Sequence, residues 1–274
     1  MSLLAAERPH PVYQDAQRRV WRDRLGADMP PSRRVPEETP VAFAYQGASY
    51  AVMMATPADL ADFALGFSLN EEIVGSPEEI EAVDTIATSD GILLRIALAD
   101  RRADAFWERR RYLAGPSGCG LCGIESLSQA ARRPRRVSGD IRVSGDAIHR
   151  AMTKLPERQT MNRLTGALHA AAFWTPDNGI VAVREDVGRH NALDKLTGAV
   201  ASAALPAAAG AVLLTSRVSV EMVQKAASLG APILVAVSAP TALALRAAKA
   251  AGITLIAVAR HDGFETFTHP HRIA

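Results

Sequence analysis

Short runs of alternating apolar and polar positions, separated by turn residues, occupy the first half of the chain. The run over residues 41–54 alternates on both sides of a Gln-Gly pair and predicts a β-hairpin. An apolar pattern of helical period follows Thr56 and a proline, so we expect a helix that has Thr56 as its N-cap and ends near Gly75. Residues 80–98 alternate again around a Ser-Asp-Gly turn, which predicts a second hairpin. The first half is therefore predicted to be α+β.

The second half alternates between helical and strand patterns. It predicts a helix over 146–163 and a hairpin over 168–185, whose turn is Asp-Asn-Gly. The remaining predicted elements are a helix over 189–204, a strand over 211–215, a helix over 219–229, a strand over 233–237, a helix over 241–251 and a strand over 254–258. Strands that alternate with helices of this length imply right-handed crossovers and a largely parallel sheet with helices on its faces.

Two segments lack such patterns. Residues 1–40 are rich in Arg and Pro without a sustained apolar period, so we expect a tail or linker. Residues 106–123 contain three consecutive arginines and then several glycines, and we expect a mobile loop because glycine leaves the backbone free. The predicted domain organisation is a tail over 1–40, an α+β N-terminal domain over 41–114, a cysteine loop and connector over 115–145, and a larger domain over 146–274.

Composition and charge exclude several classes of protein. The chain has 274 residues, of which 48% are hydrophobic and 22% are charged, as in ordinary globular proteins. Its 31 Lys and Arg against 29 Asp and Glu give a net charge of +2, which provides no global field for binding nucleic acid or membranes. The uncharged stretch over 226–245 is divided by glycine and prolines, so we expect buried core there. Two cysteines and a start without a leader pattern indicate a cytoplasmic location.

Cys119 and Cys122 form a Cys-x-x-Cys motif in a glycine-rich segment, for which four interpretations compete. A zinc site would need histidines to complete its four ligands, because there is no second cysteine pair. A thioredoxin-like redox pair needs the start of a helix, and a structural disulfide is disfavoured in the cytoplasm. The fourth interpretation is an exposed thiol that attacks a donor persulfide and accepts its outer sulfur. Arginines at 109–111 and 132–133 would favour the thiolate, unless they only form a solvated face.

Polar residues follow three successive predicted strands. These residues are Asp186, Arg189, His190 and Asn191 after the hairpin, Ser216, Arg217 and Ser219 after the next strand, and the segment 258–264 after the last one. Taken singly, a histidine at a helix start often makes only a structural hydrogen bond, and an aspartate or serine there is often an N-cap. Together they predict one crevice at the carboxyl end of the sheet, where backbone N–H groups and arginines can bind an anion.

These motifs together resemble the FdhD/NarQ family of formate dehydrogenase accessory sulfurtransferases. The resemblance covers about residues 35–273 and rests on five segments. They are SGCGLCG at 117–123, REDVGRHNALDK at 184–195, TSRVS at 215–219, GAPILVAVSAPT at 230–241 and the ending HPHRI. Agreement of several long motifs in the same order is far more specific than a single Cys-x-x-Cys.

The resemblance implies a sulfur carrier that accepts persulfide sulfur from a cysteine desulfurase. The carrier would pass this sulfur to the molybdenum or tungsten bis(molybdopterin guanine dinucleotide) cofactor before its insertion into formate dehydrogenase. The implied fold is α/β: a cytidine-deaminase-like C-terminal domain, with a mixed sheet and helices on both faces, and a smaller α+β N-terminal domain. A homodimer is also implied. Zinc deaminases have His-x-Glu and Pro-Cys-x-x-Cys motifs. This sequence contains neither motif, so we expect no deaminase chemistry and no zinc.

The resemblance also implies roles for individual residues. Cys119 would be the persulfide carrier, and Cys122 an assistant that could attack the persulfide and expel sulfide. The implied cofactor-binding residues are Val258, Ala259, Arg260, His261, Asp262, Gly263, Asp186, Arg189, His190, Arg217 and Ser219. At 258–263 the chain departs from the FxRGxR-like pattern expected of the family, because His261 stands in a glycine-like place and Gly263 where a basic residue is common.

Two other functions remain open on the sequence. The protein could be a chaperone that binds the guanine dinucleotide cofactor and the apo-enzyme, with the cysteines serving only as a redox or metal tag. It could also be a nucleotide-metabolising enzyme on the same fold, although the missing zinc ligands argue against that.

Overall fold

The computed structural model describes residues 11–18, 32–113 and 133–274. Twelve strands and seven α-helices lie within these ranges. The strands form a two-stranded sheet, a four-stranded N-terminal sheet and a six-stranded large sheet. The protein is therefore a mixed α/β protein, as the sequence predicts. Where the chain divides into domains stays a prediction.

The N-terminal sheet confirms both predicted hairpins. Its strands are β3 (Thr39–Tyr45), β4 (Ala48–Ala55), β5 (Ile80–Thr88) and β6 (Gly91–Leu98), in the order β4-β3-β6-β5. The pairs β3–β4 and β5–β6 are antiparallel, and β3 runs parallel to β6. Helix α1 (Leu60–Asn70) closes one face, because its buried Phe63 and Phe67 stack against Phe43 of β3.

The predicted start and end of α1 are wrong. The helix begins at Leu60 after Asp59, whose φ is 54°, and it ends at Asn70 rather than near Gly75. Thr56 does not cap it, because the Thr56 N–H donates to Asp186 and the Thr56 hydroxyl accepts from the N–H of Val187. A tertiary contact therefore uses the side chain that the local sequence pattern assigns to the cap.

Strands β1 (Tyr13–Gln17) and β2 (Ser32–Pro36) lie within the predicted tail. They pair antiparallel from Tyr13 with Pro36 to Gln17 with Ser32. Most of their side chains are exposed or half-buried, so the strands show no apolar alternation for a sequence pattern to detect.

A helix replaces part of the predicted loop over 106–123. Helix α2 (Asp100–Leu113) continues through the arginine run, which consists of good helix formers, and its Phe106 is buried against Tyr45. The prediction of a loop at 106–113 is therefore wrong. The glycines that motivated it begin at 115, outside the described residues.

The large sheet has the strand order β12-β11-β10-β9-β7-β8. Its strands are β7 (His169–Thr175), β8 (Gly179–Asp186), β9 (Ala211–Leu214), β10 (Ile233–Ala236), β11 (Thr254–Arg260) and β12 (Gly263–Thr266). Strands β9, β10 and β11 are parallel, whereas β7 is antiparallel to both of its neighbours. The predicted hairpin and parallel strands are confirmed, and antiparallel β12 is an addition that the sequence analysis missed.

Helices cover both faces of the large sheet. They are α3 (Gly145–Arg158), α5 (Arg189–Ser202), α6 (Val220–Leu229) and α7 (Ala242–Ala251), and the short helix α4 (Asn162–Thr165) contacts β2. Val212 and Leu214 of β9 pack with α5, α6 and α7, whereas the alternate residues Ala211 and Leu213 pack with α3. The predicted single helix over 146–163 ends at Arg158, just after a proline, and α4 is a separate short helix.

Helix α5 also packs against α1 and so joins the N-terminal sheet to the large one. Residues 191–200 of α5 are all buried, because the sheet lies on one side and α1 on the other. The two helices cross at Gly66 and Gly198, where a Cβ on either glycine would overlap a backbone carbonyl oxygen of the opposite helix. The uncharged stretch over 226–245 is divided between α6, β10 and α7. None of the helices in the described ranges is long and apolar enough to cross a membrane.

Candidate functional site

The polar segments that follow the predicted strands meet along one edge of the large sheet. Because β9, β10 and β11 are parallel, their carboxyl ends lie at the same edge. Strand β7 is antiparallel to β9, and β8 to β7, so the start of β7 and the end of β8 lie there as well. We call this the carboxyl edge. It contains His169, the segment 186–191, the segment 215–219, Ser238 and the segment 258–263.

Asp186, at the end of β8, is fully buried and forms an ion pair within the protein. Its Oδ2 lies 2.7 Å from Lys195 Nζ, and both side chains have an exposed fraction of 0%. Its Oδ1 accepts from the N–H of Gly188 at 2.7 Å and from Asn191 Nδ2 at 3.0 Å. Both carboxylate oxygens are therefore held by contacts within the protein. A contact between Asp186 and a cofactor stays a prediction.

The same buried network reaches the N-terminal sheet. The N–H of Thr56 donates to Asp186 Oδ2 at 3.0 Å, and the Thr56 carbonyl accepts from Lys195 Nζ at 2.8 Å. Asn191 Nδ2 also donates to the carbonyl of Met54, two residues before Thr56, at 2.8 Å. These bonds fix the backbone from Asp186 to Asn191, where Arg189 and His190 lie.

His190 and Glu221 form a second polar pair, between the first turns of α5 and α6. His190 Nε2 lies 3.3 Å from Glu221 Oε2, and Ser219 Oγ donates to the same oxygen at 3.4 Å. Burial lowers the pKa of His190, and the positive charge of Arg189 lowers it further, whereas Glu221 raises it. The net direction is downward, so His190 is neutral at pH 7.

Three arginines on the carboxyl edge lack a carboxylate partner. Arg217 and Arg260 are exposed, Arg189 is half-buried, and no carboxylate of the described residues lies within 4.0 Å of their guanidinium nitrogens. The Nε atom of Arg189 is buried without any hydrogen-bond partner in the described part of the chain. Burial and the charge of Arg189 lower the pKa of nearby His169. The edge therefore combines unpaired positive charge with neutral histidines, which suits an anionic ligand.

The first turns of α5 and α6 also point N–H groups at this edge. Gly188 and Ser219 occupy the two N-cap positions. Gly188 has no side chain, and the Ser219 hydroxyl accepts no hydrogen bond from the backbone of its helix. The free N–H groups at a helix start and the helix dipole favour negative charge. Ser219 is thus an N-cap by position, although its hydroxyl binds Glu221 rather than the backbone.

The segment 258–263 comprises the end of β11, the turn at 261–262 and the first residue of β12, at the end of the carboxyl edge. Val258 has a φ of 53°, and the pairing of the two strands shifts between Ala257 and Arg260. Ala259 is buried, whereas Arg260, His261 and Asp262 are exposed. Gly263 has a φ of 144°, a backbone conformation that residues with side chains rarely adopt. This conformation explains why a glycine occupies the position. The irregular pairing presents the exposed side chains at the edge.

The other predicted site residues are not all within the described part. Cys119 and Cys122 lie outside the described residues, and their roles stay predictions. Within the ranges that the structure describes, no group of three or more His, Cys, Asp or Glu side chains is arranged to hold a metal ion.

Sequence reasoning missed several residues of the site. Glu221 lies two residues after the segment 215–219 and was given no role, although its place in the first turn of a helix after a strand was a usable signal. His169 begins β7, and its position on the edge depends on the antiparallel pairing of that strand. Thr56 reaches the site from the N-terminal sheet, and no local pattern indicates such a contact.

Comparisons with known proteins agree with the motifs. The chain matches the model of the FdhD/NarQ family over residues 36–274. It is 54% identical over 259 residues to the sulfur carrier protein FdhD of Agrobacterium fabrum. This match covers 93% of this chain and 96% of that protein. It is 49% identical over 254 residues to the sulfur carrier protein FdhD of Cupriavidus necator, covering 93% of this chain and 88% of that one.

A solved structure has the same fold. A protein from Desulfotalea psychrophila, described as a formate dehydrogenase accessory protein, matches with a TM-score of 0.74 and 25% identity. The match covers 96% of this chain and 100% of that one. The family match extends over most of the sequence, and the resemblance seen in its motifs is confirmed: the chain belongs to the FdhD/NarQ family.

Proposed function

We propose that this protein is a sulfur carrier for formate dehydrogenase. It accepts persulfide sulfur from a cysteine desulfurase and delivers it to the molybdenum bis(molybdopterin guanine dinucleotide) cofactor, which is its cargo. The names of the A. fabrum and C. necator relatives support sulfur transfer, and the description of the D. psychrophila structure supports service to formate dehydrogenase. A cytoplasmic location and a homodimer belong to the same proposal.

The observation that best supports the proposal is the unpaired positive charge along the carboxyl edge. Arg260 ends β11, Arg217 follows β9 and Arg189 follows β8. Four strand spacings of about 4.8 Å separate β11 from β8, so the strands that these three arginines follow or end are spread over about 20 Å. This spread suits an extended ligand with several phosphates better than a single small anion. Helix α5 begins at Arg189 and helix α6 begins three residues after Arg217, so their N-termini add N–H donors to this edge.

The thiol chemistry of the proposal is a sulfur exchange on Cys119. The Cys119 thiolate attacks the outer sulfur of the desulfurase persulfide, the S–S bond of the donor breaks, and the donor cysteine leaves as a thiolate that takes up a proton. The product is a Cys119 persulfide, with no net oxidation or reduction. Attack by the Cys122 thiol on the inner sulfur of that persulfide would release hydrogen sulfide and leave a disulfide, which also balances. The protein acts in this sense as a sulfurtransferase with a persulfide intermediate.

Mass spectrometry of the intact protein tests the first step. Wild type, Cys119→Ala and Cys122→Ala are each incubated with an active cysteine desulfurase and cysteine labelled with heavy sulfur. We expect wild type and Cys122→Ala to gain one labelled sulfur that a reductant removes, and Cys119→Ala to gain none. Absence of label on wild type would contradict sulfur transfer and favour a chaperone that only binds the cofactor. Maturation of formate dehydrogenase by the double variant Cys119→Ala and Cys122→Ala would favour the chaperone in the same way.

A further inference from the structure

Thr56, which follows β4 of the N-terminal sheet, binds the end of β8 and the middle of α5 with its polar groups. Its N–H donates to Asp186 Oδ2 at 3.0 Å, its hydroxyl accepts from the N–H of Val187 at 3.2 Å, and its carbonyl accepts from Lys195 Nζ at 2.8 Å. Buried polar groups that are paired in this way fix the backbone around them. The turn at 186–188 is therefore held by a residue of the other sheet.

Asn191 holds the same turn from its helical side. Its Nδ2 donates to Asp186 Oδ1 at 3.0 Å and to the carbonyl of Met54 at 2.8 Å. Asp186 Oδ1 also accepts from the N–H of Gly188, and a Cβ on Gly188 would lie only 2.8 Å from Asn191 Nδ2. The space between Gly188 and Asn191 is thus closed, so the turn is fixed by packing as well as by hydrogen bonds.

Arg189 lies between these fixed residues, although its own side chain is unpaired. It directly follows Gly188 and begins α5. No residue in the described ranges accepts a hydrogen bond from its guanidinium, whose Nε is buried. A buried donor without a partner is rare in folded proteins and indicates a partner that the described chain does not supply. The network therefore fixes the position of a side chain that has a positive charge to offer to a ligand.

The two residues that hold the turn are closed to a ligand. Thr56 has an exposed fraction of 0% and Asn191 of 3%, so neither side chain touches a molecule bound at the surface of the edge. Any effect of these residues on binding therefore acts through the groups that they hold. Within the segment 186–191, Arg189 combines a positive charge with the lack of a partner in the described chain.

We propose that Thr56 and Asn191 are positioning residues for Arg189, an inference that rests on the proposed function. They hold the turn at 186–188, and with it the start of α5, in the place from which the Arg189 guanidinium contacts a phosphate of the cargo. Through Thr56 the N-terminal sheet takes part in the ligand site of the large sheet without touching the ligand.

Calorimetry with GDP, the nucleotide end of the proposed cargo, tests this inference on the full chain. Thr56→Val removes only the hydroxyl that accepts from Val187, whereas Thr56→Ser keeps it. Asn191→Leu removes both donated bonds at similar size. Thr254→Val is the matched control, because Thr254 is equally buried and its hydroxyl is hydrogen-bonded, but it begins β11 and so lies at the opposite edge of the sheet. Thermal unfolding sets a temperature at which every variant is folded.

We expect Arg189→Gln to weaken GDP binding by about tenfold or more, the size of a charge-assisted hydrogen bond to phosphate. Thr56→Val and Asn191→Leu lose part or all of the same contact, so each weakens binding by at least about threefold and by no more than Arg189→Gln does. Thr56→Ser and Thr254→Val bind GDP as wild type does.

A double-mutant cycle separates the positioning of Arg189 from a general loosening of the site. In the Arg189→Gln protein, Asn191→Leu causes no further loss of affinity, because the contact that it supports is already absent. In the Arg260→Gln protein, the effects of the two substitutions multiply, because Arg260 lies on a different strand. A merely structural role of Asn191 would weaken binding equally in both proteins.

Three results would overturn the inference. They are wild-type GDP affinity in Thr56→Val and Asn191→Leu, an equal loss of affinity in Thr254→Val, and a further loss when Asn191→Leu is added to Arg189→Gln. If wild type binds no GDP, the ligand site at the carboxyl edge and the inference fail together. Sulfur loading, measured by mass spectrometry on the same preparations, reports on the proposed function separately. A protein that loads sulfur but fails the cycle loses only the positioning roles.

Discussion

Burial lowers the pKa of both histidines on the carboxyl edge, His169 and His190, below the ordinary value of about 6.5. Between the folded pKa and about 6.5 the unfolded chain binds more protons than the folded one, so the free energy of unfolding falls as the pH decreases through this window. We expect NMR titration to place the His190 midpoint below 6.5, and Glu221→Gln to lower it further. A midpoint above 6.5, or one that the substitution raises, would contradict the arrangement described.

The buried pair of Lys195 and Asp186 makes a sharper prediction about stability. Lys195→Met leaves the Asp186 charge buried without its cation, which typically costs about 3–5 kcal/mol of the free energy of unfolding. The double variant Lys195→Met and Asp186→Asn removes both charges and should recover part of that loss. Lys249→Met is the control, since Lys249 is exposed on α7 and should change stability by less than about 0.5 kcal/mol. Urea unfolding measures all three, and equal effects at Lys195 and Lys249 would contradict the pair's importance.

Individual site residues could be predicted from the sequence where their chemistry depends on a local position. Arg189, His190 and Arg217 follow strands, and the structure places them together because strand ends share an edge. The hydrogen bond between Asp186 and the N-terminal sheet region was not predictable, because its partner Thr56 is 130 residues away in the sequence. Sequence distance conceals a contact of this kind even when both residues belong to recognisable patterns.

At the scale of elements, the crossing of α1 and α5 depends on two glycines. A Cβ on Gly66 would overlap the carbonyl oxygen of Asp194, and one on Gly198 that of Asp62. Alanine would otherwise favour a helix over glycine by about 1 kcal/mol, so any destabilisation by Gly66→Ala must come from the crossing. We expect Gly66→Ala to lower the free energy of unfolding by about 3 kcal/mol or more, because backbone atoms cannot move aside as side chains do.

Gly145→Ala is the matched control for that substitution. Gly145 begins α3, and a Cβ there would only make an ordinary contact 3.4 Å from the ring of Phe264. We expect thermal unfolding of this variant to stay close to wild type. If Gly66→Ala and Gly145→Ala melt at the same temperature, the close crossing of the two helices is not what joins the two sheets.

Elements with strong periodic patterns were predictable, and those that depend on tertiary pairing were not. The hairpins over 80–98 and 168–185 and the alternating helices and strands beyond residue 189 are confirmed to within a few residues. Strands β1 and β2 were missed because a two-stranded sheet with little burial needs no apolar alternation. The start of α1 was misplaced because Thr56 serves the buried network instead of the helix.

At the scale of the molecule, the order of the strands converts three separate sequence motifs into one surface. The sequence predicts parallel strands and polar residues after each of them, and this is sufficient to predict a crevice at the carboxyl edge. The sequence also predicts that the residues after the hairpin belong to this crevice, and the antiparallel pairing of β7 and β8 with the parallel strands is what brings the start of α5 to the same edge. The spread of the three arginines over this edge therefore follows from topology, which the motifs alone do not specify.

The proposed cargo contains guanine nucleotides, and the same spread predicts which residues would bind them. Each unpaired guanidinium that contacts a phosphate makes a charge-assisted hydrogen bond worth about 1.5–3 kcal/mol, so Arg217→Gln and Arg260→Gln should each weaken GDP binding by about tenfold or more. Arg246→Gln is the control, because Arg246 is an exposed arginine in the middle of α7. Calorimetry at low and at high salt measures the three affinities. Salt screens interactions with exposed charges, so the wild-type affinity should fall with added salt, and the affinities of Arg217→Gln and Arg260→Gln should fall less. Equal GDP affinity in all three variants would mean that the nucleotide binds elsewhere, and that the carboxyl edge is not where this protein holds its cargo.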